Sequence, residues 1–142
     1  IVSANFCPEF CQPDYAFFTN SKRFEKLDLA ALPCPVVLPS NLRPLPQGAL
    51  AVNYDRLAAP DVQNASLGSN SVLMLLRLLR LCGAKAVLLA GADGYKPGTP
   101  AYADSLLHAH TGRGAAFNTA MAGAIKACGL DVTFITPSEY AK

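Results

Sequence analysis

The tetrapeptide Gly68-Ser69-Asn70-Ser71 stands directly before the most regular apolar helix pattern of the chain. Small residues at such a place let an anion approach the backbone. Free N–H groups and the positive end of the helix dipole then hold it. Ser and Asn are also the usual residues for capping a helix. The segment is not a phosphate loop of the Gly-Lys-Ser/Thr kind, and it does not match G-x-G-x-x-G. A second cluster is Gly91-Ala92-Asp93-Gly94-Tyr95, which follows an apolar run. A carboxylate at Asp93 binds a ribose hydroxyl or positions a nucleophile, or it caps a turn, as Asp-Gly pairs do. Asn5, Asn20 and Asn41 each lie just past an apolar run. An amide offers both a donor and an acceptor, which suits the edge of a base or a ribose. His108 and His110 sit in a polar, Gly-flanked stretch. Their unperturbed pKa suits general-base work near neutrality.

These residues need a frame. Residues 1–6 and 14–19 look like strands. Ser21 offers an N-cap for a helix over 23–32, where Phe24, Leu27 and Leu32 have near-helical spacing. Residues 35–38 form a third apolar run. Residues 39–48 hold three prolines and a glycine and read as loop. Residues 50–53 give a fourth strand. The polar stretch 61–71 leads into a helix over 72–82 that Gly83 ends. Residues 86–90 are apolar throughout, as in a parallel strand buried on both faces. A long Gly/Pro-rich loop covers 91–114. A small-residue helix over 117–128 is closed by Gly129, and 132–135 form the last strand. Helix, strand, helix, strand implies a parallel sheet with helices on its faces. In such sheets ligands bind outside the carboxyl ends of the strands, at the point where strand order reverses. That rule selects Asn5, Asn20, Asn41 and the 91–95 segment.

At 142 residues the chain has the length of one domain. Hydrophobic residues make up 51% and charged residues 15%, which excludes a disordered tail. The net charge is +2 with no run of Lys or Arg, which argues against an electrostatic nucleic-acid binder. The longest apolar run, 72–82, carries Arg77 and Arg80 and is too short to span a bilayer. Both arginines are expected to snorkel along the outer helix face. Five cysteines, Cys7, Cys11, Cys34, Cys82 and Cys128, are an odd count. They fit buried free thiols in a reducing cytoplasm better than a disulfide framework. Cys7, Cys11 and Cys34 lack the fourth ligand of a structural zinc site, so no metal is expected. The chain opens on Ile1 and an apolar run, which reads as a domain excised from a longer protein.

Several of these segments resemble the bacterial sialyltransferases that use CMP-sialic acid. They are Asn5, Phe18-Thr19-Asn20 with Arg23-Phe24-Glu25, Gly68-Ser69-Asn70-Ser71-Val72, the Gly91-x-Asp93-x-Tyr95 strand end, Asn118-Thr119 and Thr136-Pro137-Ser138, all in the family's order. Gly68 to Val72 is also similar to the Rossmann-like 6-hydroxymethylpterin diphosphokinase (MptE-like) family. The resemblance implies one three-layer Rossmann-like domain over residues 1–142, a mostly parallel sheet with helices on both faces. It gives Asn5, Asn20 and Asn41 to a cytidine and ribose, and Gly68, Ser69, Asn70 and Ser71 to the nucleotide and its phosphate. Tyr95 and Tyr102 match two tyrosines that hydrogen-bond the leaving phosphate, where fixed donors lower the barrier to transfer. The family's base histidine lies a little before the Asn-Thr of its last helix, where this chain has Ala115; His108 and His110 stand ten and eight residues before Asn118.

Residues 1–20 and Asn20-Ser21-Lys22-Arg23-Phe24 are similar to a domain that follows the barrel in putative aldolases of the HMG-CoA-lyase-like family, related to 4-hydroxy-2-oxovalerate aldolase. The barrel would need a divalent metal and is not contained in this chain. That resemblance implies an accessory domain that binds CMP, another nucleotide or a nucleotide sugar and partners an upstream aldolase-like barrel. Two alternatives stand beside it: an active CMP-sugar-dependent glycosyltransferase, and a docking module or homodimer formed through apolar helix faces.

Overall fold

The computed structural model describes residues 1–5, 10–25, 28, 31–58, 65–96 and 114–142. It is mixed α/β, and every strand pairing in it is parallel. The chain divides into two compact units, Ile1–Leu79 and Arg80–Lys142. Among the described residues no helix is long and apolar enough to cross a membrane.

The N-terminal unit is built on β1 (Val2–Ala4), β2 (Tyr15–Phe17), β3 (Val36–Pro39) and β4 (Leu50–Val52), with a short α1 (Ser21–Phe24) after β2. The four strands lie side by side in sequence order. Consecutive parallel strands joined by right-handed crossovers place their connections on one face. The apolar contacts agree. Ala16, Phe18, Val36 and Leu38 are buried on one face, with Leu32, Cys34, Leu42, Leu45 and Ala49 of the connections packed on them. Phe17 and Val37 point to the other face, against Leu57 of α2 (Tyr54–Leu57) and Met74 and Leu75 of α4 (Ser71–Leu81). Between α2 and α4 comes a short α3 (Ala65–Gly68). With both faces covered, β2 and β3 must be apolar at successive positions, which is why these runs are continuous rather than alternating. Strand order does not reverse among β1–β4, so the switch-point crevice expected from the sequence is not formed within this sheet.

Several local expectations need correction. Asn20, not Ser21, caps α1: its Oδ1 accepts from the Lys22 N–H at 3.0 Å. The helix expected over 23–32 stops early. Asp28 is not helical, and Ala31 N–H donates to the Asp28 carbonyl in a turn. Pro33 and Pro35 follow, and proline disfavours helical geometry in the residue before it. Neither Arg77 nor Arg80 merely lies along the helix surface. Arg77 Nη1 donates to the Leu57 carbonyl at 3.1 Å, where α2 ends. Arg80 Nη1 donates to the Cys128 carbonyl at 2.6 Å. Guanidinium groups satisfy carbonyls that a helix end leaves without partners, and they complement its dipole.

The C-terminal unit contains β5 (Ala86–Leu89), α5 (Ala115–Ala127), β6 (Asp131–Phe134) and a 3₁₀ turn at Glu139–Ala141. Strands β5 and β6 pair in parallel from Ala86↔Asp131 to Leu89↔Phe134. Gly83 and Gly129 take φ of 90° and 68°, the left-handed conformation that stops α4 and α5. The expectation that β5 is buried on both faces fails. Ala86 and Leu88 are exposed, Leu88 by 71%, while Val87 and Leu89 are half-buried. That alternation is what a sheet covered on one face shows. Helix α5 buries Phe117, Asn118, Met121 and Ile125, which lie on one stripe at a 3.6-residue period. The thiols are not uniformly buried either. Cys128 is buried, Cys11 and Cys34 are half-buried, and Cys82 is exposed. Cys82 follows the last residue of α4, where the apolar face no longer packs.

Candidate functional site

All four strands of the N-terminal unit point the same way, so residues just past their ends share one edge. Asn5 follows β1, Asn20 follows β2, Ser40 and Asn41 follow β3, and Asn53 follows β4. The edge is tied together by these side chains. Asn5 takes a left-handed φ of 58°, which Asn tolerates better than most residues. Its N–H donates to the Phe17 carbonyl at 2.8 Å, and its Oδ1 accepts from the Thr19 N–H at 3.1 Å. Asn5 and the Thr19-Asn20 turn are therefore neighbours. Ser40 N–H donates to the Val52 carbonyl at 2.7 Å, and its Oγ accepts from the Tyr54 N–H at 3.0 Å. Asn53 Oδ1 accepts from the Asp55 N–H and caps α2. In Asn5, Asn20 and Asn53 the amide oxygen is thus occupied by backbone. The amide N–H groups have no partner among the described residues and are what these side chains can offer a ligand. Asn41 is exposed in the turn closed by the Leu42 N–H and the Pro39 carbonyl.

The Gly68-Ser69-Asn70-Ser71 segment is arranged differently. Gly68 is buried and ends α3, so it forms no open cradle. Asn70 caps α4, with Oδ1 accepting from the Val72 N–H at 2.9 Å and the Leu73 N–H at 3.4 Å. Its carbonyl accepts from the Met74 N–H at 2.9 Å. The donors that an anion would use at this helix end are therefore largely occupied by Asn70. The hydroxyls of the exposed Ser69 and half-buried Ser71 remain on offer. No hydrogen bond joins 68–71 to Asn5 or Asn20 among the described residues. Asn70→Ala is expected to lower stability by about 1 kcal/mol, the usual cost of a lost cap. Urea unfolding measures this, and Asn70→Asp should restore most of the loss.

In the C-terminal unit Asp93 and Tyr95 follow β5. Residues 91–95 are held from two sides. Gly91 N–H donates to Thr136 Oγ1 at 2.9 Å, Ser138 Oγ donates to the Ala92 carbonyl at 2.5 Å, and Glu139 N–H donates to the Asp93 carbonyl at 2.8 Å. From α5, Asn118 Oδ1 accepts from the Tyr95 N–H at 3.1 Å and Nδ2 donates to the Tyr95 carbonyl at 2.8 Å. Asn118 is 7% exposed, a buried polar side chain with both ends of its amide satisfied. The Tyr95 ring stands edge-on to Phe117, centroids 5.4 Å apart at 85°, a preferred aromatic geometry. Asp93 is exposed.

A shallow depression of about 210 Å³ lies beside this turn, lined by Ala115, Asn118, Thr119, Ala122, Glu139 and Lys142. The Lys142 ammonium donates to Glu139 at 2.6 Å and, with Lys96 at 3.9 Å, holds that carboxyl below its usual range against some desolvation. Thr119 Oγ1 is turned back onto the Ala115 carbonyl at 3.1 Å.

The structure therefore brings Asn5, Asn20 and Asn41 to one sheet edge, keeps Ser69, Asn70 and Ser71 in a turn of their own, and mounts Asp93 and Tyr95 on the C-terminal unit. Tyr102, His108 and His110 lie outside the described residues, as does Cys7. The positional importance of Asn118 was detectable in principle. It is a polar residue on the apolar stripe of Phe117, Met121 and Ile125, and such a residue needs a buried partner. No protein-family model, curated protein or solved structure matches this chain.

Proposed function

We propose that this chain is an accessory domain of three-layer Rossmann-like architecture that binds a nucleotide or nucleotide sugar through its phosphate-bearing part. The observation that carries the reading is the composition of one edge of the N-terminal sheet. Asn5, Asn20 and Asn41 lie there. Lys22 and Arg23 follow β2, Arg43 follows β3 and Arg56 follows β4, against the carboxylates of Glu25 and Asp55. The opposite edge carries Asp14, whose carboxyl the N-terminal ammonium holds below its usual range. Amide N–H groups bordered by cations suit an acceptor-rich anion: phosphate oxygens, ribose hydroxyls and the carbonyl edge of a pyrimidine.

The resemblance of residues 1–20 to the domain behind aldolase barrels supports an accessory role beside such a barrel.

Thermal unfolding in the presence of CMP, CDP and UDP tests the reading. A ligand at 100 times its dissociation constant adds about 2.7 kcal/mol, and the midpoint rises accordingly. Midpoints that do not move with any of the three overturn it.

A further inference from the structure

We draw no further inference here: the strongest candidate, the exposed face of the β5–β6 sheet that carries Leu88 and Thr133 with Ile135 just beyond it, carries nothing because no observation in the structure shows what covers it.

Discussion

Phe17→Ala is expected to cost the N-terminal unit about 3–5 kcal/mol, the range seen when a buried aromatic is truncated. Phe17 is wholly buried in the layer where the sheet meets Leu57, Met74 and Leu75. Removing the ring takes away apolar burial from every one of these neighbours and leaves a cavity between sheet and helices that a strand paired on both sides cannot close. A domain has only about 5–15 kcal/mol to lose. The midpoint of urea unfolding should therefore drop steeply, and amide protection in β2 and β3 should fall with it. Tyr15, two residues earlier on the same strand, is 43% exposed. Tyr15→Thr should change stability by less than about 1 kcal/mol. Equal effects at the two positions would contradict the burial of Phe17 against Leu57, Met74 and Leu75.

Gly94→Ala carries the second large expected effect, in the other unit. Gly94 has φ +81°, and a Cβ there would sit 2.8 Å from Glu139 Cβ, 3.2 Å from the Tyr140 ring and 3.3 Å from Asn118 Oδ1. The first contact is to the root of a side chain and cannot be relieved by rotation. Left-handed backbone costs a non-glycine residue about 1–2 kcal/mol, and overpacking adds about 1–3. A total of about 2–5 kcal/mol is expected in thermal unfolding. The clash lies where Asn118 grips Tyr95, so the Tyr95 amide should lose its protection as well. Gly83→Ala is the control. Its φ is as strained, at 90°, but a Cβ there meets nothing within 4 Å, so only the backbone cost should appear.

The two long helices were legible because eleven and thirteen residues of period are enough to fix a face, and Gly83 and Gly129 mark their ends. Strands β2 and β3 were legible as unbroken apolar runs. The four-residue helices α2 and α3 were not, since so short a segment shows no period. The edge asparagines illustrate a deeper limit. An Asn after a strand reads equally as a turn residue or as a ligand contact. Only coordinates show that Asn5, Asn20 and Asn70 give their oxygens to the backbone, leaving N–H donors in the first two and a filled helix end in the third. β5 misled for a related reason. Composition reports that Leu88 is apolar, not whether anything covers it, and it is 71% exposed. Arg77 and Arg80 were given to solvent because their partners, Leu57 and Cys128, lie 20 and 48 residues away.

Nitrogen-edited NMR spectra recorded while CMP is titrated into the chain probe the sheet edge directly. Saturable shifts are expected at the backbone amides of Asn5, Thr19, Asn20 and Asn41 and at the side-chain amides of Asn5 and Asn20, with the Ala16 and Val37 amides inside the strands moving little. Spectra that saturate without touching any of these edge residues, or that do not respond to CMP at all, would contradict nucleotide binding there.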